Sequence, residues 1–179
     1  SEDCPRLMHE LGLNILHSRF YKGMGWQFES KDFPNVKRFV ENCHKHGVRA
    51  LAYVQFSTLY YETMQVEVPD LADWVAIDEH VRKRTYHNSY FRWLPCINAP
   101  GFEPYLARMI RIALTEGGFD GIMFDNCFAP PCYCPRCVAL FREYLAREPH
   151  PEQVFGIPTV DHVLPPPPRK YGELLDPIG

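Results

Sequence analysis

At 179 residues the chain is long enough for one domain with a real core, and its 46% apolar and 23% charged residues are ordinary for a globular protein. A net charge of −3 with a pI near 6.2 gives no basic footprint, which argues against nucleic acid as a partner. No apolar run reaches the roughly 18 residues of a membrane span, and the opening SEDCPRLMHE is too acidic and polar for a signal peptide.

Taken in order, the chain alternates helix and strand patterns. Pro5 to Glu10 reads as the end of a helix closed near Gly12. Leu13 to Phe20 (LNILHSRF) reads as a strand, and Gly23 and Gly25 mark the loop after it. Asp32 and Phe33-Pro34 open a second helix, with proline suited to the first turn. Its apolar face is Val36, Phe39, Val40 and Cys43, and Gly47 stops it after Lys45 and His46. Val48 to Phe56 (VRALAYVQF) is a second strand. Residues 57–101 form a loop-rich, aromatic insertion. Pro104 to Glu116 is a helix with Leu106, Met109, Ile110 and Ala113 facing inward, ended by Gly117-Gly118. Phe119 to Phe124 is a third strand, and Val138 to Ala146 a further helix.

Repeated strand–helix alternation predicts an α/β fold with parallel strands. Polar and aromatic residues gather after each strand, at the end where (β/α)8 TIM barrels place their chemistry. Only three strands are clear, whereas a complete barrel takes about 250 residues. The expectation is therefore a partial barrel, about the second to fourth βα units, over residues 1–148. Residues 149–179 hold eight of the 17 prolines. They are expected to be a linker or rim loop with neither helix nor central strand.

The densest stretch is FDGIMFDNCFAPPCYCPRCVALFREYL, residues 119–145. A buried strand here would deliver Asp125 at its C-terminal end, and burying a carboxylate is costly unless it is hydrogen-bonded or functional. Asp120, at the other end of the strand, reads as a turn or cap residue. Three of the seven cysteines, Cys132, Cys134 and Cys137, crowd into six residues. That spacing suits metal ligation better than separate disulfides, and with it a reducing, cytoplasmic setting. Cys4 and Cys43 read as packing residues.

The string CYCPRCVALFREYL resembles the C-x-C-x-x-C segment of family 42 glycoside hydrolases, the beta-galactosidase-type barrels. There the segment follows the fourth strand, and a further cysteine comes from an upstream C-x-N-S-P stretch. Here that stretch is Cys96-Ile97-Asn98-Ala99-Pro100. DGIMFDN and GLNILHSRFY bring the chain closer still to barrel proteins described only as hypothetical glycosyl hydrolases. The likeness runs from about Leu11 to Leu145. It implies a structural Cys4 zinc site of Cys96, Cys132, Cys134 and Cys137, with Cys127 as the alternative fourth ligand. Four thiolates leave no open coordination position, so such a zinc is structural rather than reactive. One departure matters. Family 42 enzymes end strand four in Asn-Glu, the glutamate being the acid/base, whereas this chain reads Asp125-Asn126. Amylase- and fucosidase-type barrels end it in a nucleophilic aspartate.

The resemblance implies a carbohydrate substrate and glycoside hydrolysis, with Asp125 as the catalytic or substrate-gripping carboxylate. Hydrolysis needs two carboxyl groups. Glu62 and Glu67 read as surface charges, so a second is not evident. Sugar binding by aromatic faces and planar polar groups points to His17, Arg19, Trp26, Tyr53, Gln55, Tyr61, Trp93 and Asn126 as the binding set. Arg92 precedes Trp93 in the same aromatic stretch. At 14% aromatic content, an alternative is that these rings simply pack. Two further readings are a non-catalytic carbohydrate-binding barrel and a zinc-stapled interaction module. An open half-barrel exposes strand edges and so is expected to form homo-oligomers.

Overall fold

The structure, a computed structural model, describes residues 3–166. Its regular elements begin with α1 (Cys4–Glu10), β1 (Ile15–Tyr21), α2 (Trp26–Glu29) and α3 (Phe33–Lys45). β2 (Arg49–Gln55), β3 (Leu59–Tyr60), α4 (Tyr61–Met64) and β4 (Arg92–Trp93) follow. The chain continues through α5 (Phe102–Thr115), β5 (Gly121–Asp125), α6 (Pro135–Leu145) and α7 (Pro151–Phe155). Two compact units result. Among the described residues the first comprises 3–75 and 85–129, and the second 76–84 and 130–166.

The first unit is built on a parallel sheet in the order β1-β2-β5. The sequence therefore reads correctly as α/β with parallel strands. The alternation of side chains along β2 decides its two faces. Ala50, Ala52 and Val54 are fully buried, and α3 packs over β1 and β2 through Val36, Val40 and Cys43. Alanine at two of these positions leaves room for the helix to approach. Cys43 is a packing residue, as expected. Burial, with the neighbouring Cys4 and Asp120, pushes its thiol up to about 11, so it stays neutral. On β5's side the buried stripe of α5 is Phe102, Leu106, Met109, Ile112 and Ala113. Ile112 takes the inward place expected for Ile110, which is only half-buried.

Asp120, expected to be a turn or cap residue, bridges two elements. Its Oδ2 accepts the Ala50 N–H at 2.8 Å and faces His44 Nε2 at 2.8 Å, joining the end of α3 to the start of β2. Partial burial works against its charge, but the Ala50 N–H and His44 hold the carboxyl below its ordinary value. At the opposite end of the sheet Gly23 (φ +87°) lies against the backbone of Thr58. A Cβ there would come within 2.0 Å of the Thr58 carbonyl oxygen. The Tyr60 N–H donates to the Gly23 carbonyl at 2.7 Å. Only glycine lets the loops after β1 and β2 close on each other this tightly.

The insertion at 57–101 carries little regular structure: β3 pairs antiparallel with β4, and α4 adds one turn. In the second unit, α7 corrects the expectation that the proline-rich tail holds no helix. Pro151 sits in its first turn, where a missing N–H costs nothing, and Gly156 (φ +68°) ends it. The proline run from 167 onward lies outside the described residues. Among the described residues no helix is long and apolar enough to cross a membrane.

Candidate functional site

The register of the sheet sets the site. Gln55 of β2 pairs laterally with Asp125 of β5, and Tyr53 with Met123 of β5 and Arg19 of β1. Laterally paired residues in a parallel sheet point to the same face. His17, Arg19, Tyr53, Gln55 and Asp125 thus share one face, opposite the one that α3 covers. That face stays half open: His17 and Arg19 are exposed and Tyr53 is half-buried.

Asp125 is the centre of a hydrogen-bonded group. The Tyr53 hydroxyl donates to Asp125 Oδ2 in a short contact, and Asn126 Nδ2 donates to the same oxygen at 3.0 Å. The Tyr53 oxygen also lies 2.8 Å from Gln55 Oε1. A phenol has one proton, and the charged carboxylate is the stronger acceptor. Burial first, then the hydrogen bond to Asp125 and its charge, push the Tyr53 phenol up to about 12. It remains a donor across the physiological range. Gln55, buried, bonds Thr58 Oγ1 at 3.0 Å and so has its side chain fixed.

Asn126 adopts a left-handed conformation (φ +52°), which asparagine tolerates better than most residues. Backbone strain of this kind collects at functional sites. Ser57 Oγ donates to the Asn126 carbonyl, and the Tyr86 hydroxyl lies 3.4 Å from Asn126 Oδ1. Arg92 stacks on that tyrosine, its guanidinium carbon 4.1 Å from the Tyr86 ring centre and 5.2 Å from that of Tyr60. Ser57 and Tyr86 were not expected from the sequence. They come from the loop-rich insertion, where no periodicity indicates which side chains turn back to the strand ends.

The expected binding set is brought together in part. His17 lies 6.4 Å from Tyr53, ring to ring, and Lys22 Nζ lies 5.9 Å from the same ring. Trp26 packs instead among Phe20 and Phe33, at 5.4 and 5.2 Å, on the helix-covered side of β1. Its backbone N–H donates to the Tyr105 hydroxyl at 2.7 Å. Tyr61 and Trp93 stack on each other at 4.5 Å, one beside β3 and one in β4. Of the two further acids, Glu62 is exposed on α4. Glu67 is not a free surface charge: it accepts the Gln27 N–H at 2.8 Å and pairs with Arg108 at 3.2 Å. Those two residues line a cleft of about 410 Å³ with Trp74 and Tyr105, and their charges offset each other there.

Beneath the loop after β1, Glu29 is buried and its carboxylate accepts the N–H groups of Lys22 at 2.7 Å and Met24 at 3.0 Å. Desolvation outweighs these donors and raises its carboxyl from 4.5 to about 7. The folded state therefore holds a proton that the unfolded chain releases, and stability falls as pH rises from 4.5 to 7. Below that window both states are protonated and the stabilisation is complete; above it the loss is complete, about 3 kcal/mol. The Glu29→Gln protein is expected to lack this slope. Urea melts at pH 4.5, 6 and 7.5 measure it, and parallel pH profiles for the two proteins would contradict it.

In the second unit Cys132, Cys134 and Cys137 have their sulfurs within 4.8 Å of one another. Cys134 is the N-cap of α6 and Cys137 its third residue, so both sit at the N-terminal end of an 11-residue helix. The Ile77 N–H donates to Cys132 Sγ at 3.4 Å, and Arg84 Nε to the Pro131 carbonyl at 2.7 Å. These bonds tie the cysteine loop to residues 76–84. Sulfurs within 4.8 Å of one another are close enough to hold a metal ion between them. Cys96 belongs to the first unit, where it is buried, and Cys127 is exposed beside Asn126.

The fold is thus α/β, with the ends of parallel strands converging on a hydrogen-bonded carboxylate. No known family pattern matches the sequence, and no curated protein does. Solved structures do match. A maltogenic alpha-amylase, AmyB from Thermotoga neapolitana, aligns with a TM-score of 0.54 at 17% identity, over 82% of this chain and 38% of its own. TtGalA, an alpha-galactosidase from Thermus thermophilus, aligns with 0.53 at 17%, over 80% and 32%. An alpha-amylase from Geobacillus thermoleovorans aligns with 0.53 at 13%, over 81% and 36%. The fold is thus glycoside hydrolase-like, and the chain spans about a third of the length of these proteins. At such identities the likeness carries the fold alone, and the family 42 assignment rests on sequence motifs only.

Proposed function

We propose that this chain forms part of a (β/α)8-type barrel that acts on carbohydrate, with Asp125 as the pocket carboxylate. The observation that supports it best is the lateral pairing of Gln55 with Asp125 at the C-terminal ends of parallel strands, with Tyr53 bonded to Asp125. Tyr53 and Asn126 both engage Oδ2, which fixes the carboxylate's orientation and leaves Oδ1 for a sugar hydroxyl or anomeric carbon. Donors held in this way need no rearrangement when substrate arrives. His17, Arg19, Tyr53, Gln55 and Asn126 form the binding set; Trp26, Tyr61 and Trp93 serve packing.

Hydrolysis by two carboxyl groups requires a partner for Asp125 at roughly 5 to 9.5 Å. Neither Glu62 nor Glu67 has the character of that partner, so catalysis is proposed only for the barrel that supplies one. We propose zinc as a structural cofactor of Cys132, Cys134 and Cys137, with Cys96 as fourth ligand on its C-x-N-x-P sequence context. Zinc there would supply cross-linking rather than Lewis acidity.

Isothermal titration of the purified protein against a panel of malto-, galacto- and gluco-oligosaccharides tests the carbohydrate reading. Saturable binding that weakens at least about fivefold in Tyr53→Phe is expected, from the loss of one hydrogen bond to a charged group. Equal affinity in the two proteins would contradict the site.

A further inference from the structure

We propose that the Asp125 site is selective for an acidic sugar, a uronic acid unit whose carboxylate is received by Arg92. This rests on the carbohydrate reading above and narrows it to a substrate class.

Charge is the first ground. The chain as a whole carries −3, yet the face around Tyr53 is locally cationic. Arg19 is Tyr53's register partner on β1, Lys22 lies over the Tyr53 ring, and Arg92 stacks on Tyr86, which reaches Asn126. Against these three stands Asp125. Among the described residues none of the three cations makes an ion pair. Glu29, which feels the charge of Arg19, is buried and accepts the N–H groups of Lys22 and Met24. A site for a neutral sugar has no use for this surplus. An anionic ligand offsets it.

Arg92 supplies the second ground. Its Nε is buried and has no hydrogen-bond acceptor among the described residues. A buried donor left unpaired is costly, and a ligand oxygen removes that cost. The guanidinium carbon lies 4.1 Å from the Tyr86 ring centre and 5.2 Å from that of Tyr60, which holds the group beside Asn126's tyrosine partner. The guanidinium's planar fork of donors matches a carboxylate, which accepts two parallel N–H bonds in one plane. A hydroxymethyl group at the same sugar carbon offers no such pair.

The test uses titration calorimetry with α-1,4-trigalacturonate and its neutral counterpart α-1,4-galactotriose, preceded by a glycan array holding neutral, uronate and sulfated sugars. Uronates are expected to dominate the array, and trigalacturonate to bind about tenfold or more tighter than galactotriose, in line with a charge-assisted bidentate pair. In Arg92→Met the ratio of the two affinities falls to about one. In Arg92→Lys, which keeps the charge but loses the fork, it falls only in part, and this variant carries the test if Arg92→Met fails to fold. Equal binding of both sugars by the wild-type protein overturns the acidic-sugar inference and leaves the carbohydrate reading standing. Preference for sulfated over uronate sugars overturns the role given to a planar carboxylate. Silence across the whole array overturns both.

Discussion

The Asp125→Asn protein is expected to fold normally and to lose about 10- to 100-fold in oligosaccharide affinity, the worth of hydrogen bonds to a charged group. Asparagine keeps the shape of aspartate and can still accept the Tyr53 proton through its carbonyl oxygen, so the network around Gln55 and Thr58 survives. What disappears is the charge. A second readout separates that loss from simple damage. Burial is the main reason the Tyr53 phenol stands at about 12, with the hydrogen bond to Asp125 and its charge next. In Asp125→Asn the tyrosine therefore titrates at lower pH, though still above its ordinary value, which NMR of ring-labelled tyrosine follows. Unchanged affinity together with an unchanged Tyr53 titration would remove Asp125 from the site. In a barrel that also supplies the second carboxyl group, kcat should fall by about 1,000-fold or more, as when a member of a catalytic unit is lost.

Cys132→Ser is expected to cost the protein its zinc and about 6 °C or more of melting temperature. Structural zinc sites contribute large apparent folding free energies, and even about 3 kcal/mol moves a melt of this size by several degrees. Cys132 is also the sulfur held by the Ile77 N–H, so its loss loosens the loop that Arg84 anchors at Pro131. Metal analysis of protein purified under reducing conditions should show about one zinc per wild-type chain and little in Cys132→Ser or Cys137→Ser. Cys127→Ser should retain it, because Cys127 is exposed and lacks the C-x-N-x-P context of the buried Cys96. Wild-type protein without zinc, and a Cys132→Ser melt matching it, would contradict the metal reading.

The elements that sequence patterns describe well are those whose neighbours are local. The three strands and the helices α3, α5 and α6 appear within a few residues of where apolar spacing and glycine stops place them. Asp125 was legible for the same reason: an apolar run that ends in a carboxylate is a local signal. Its partners were legible only as residue types. That Gln55 stands level with Asp125 depends on the register between two strands 70 residues apart, which neither strand encodes alone. Tyr86 and Ser57 come from stretches without period, where only the folded chain shows which way a side chain turns. Trp26, Tyr61 and Trp93 illustrate the opposite difficulty. In a chain rich in rings, aromatics satisfy one another, and composition does not distinguish a stacked pair from a sugar platform. The short helix α7 was missed because proline was read as forbidding helix, although it is at home in a first turn.

The side-chain amide groups of Gln55 and Asn126 give the most direct test of the central claim, since both flank Asp125 and both have distinct NMR signals. Adding the tightest-binding oligosaccharide should shift these two pairs of amide resonances saturably, with one dissociation constant that matches calorimetry and rises in Asp125→Asn. Amide signals at Gln55 and Asn126 that stay in place while the sugar binds elsewhere would contradict a carbohydrate site at Asp125.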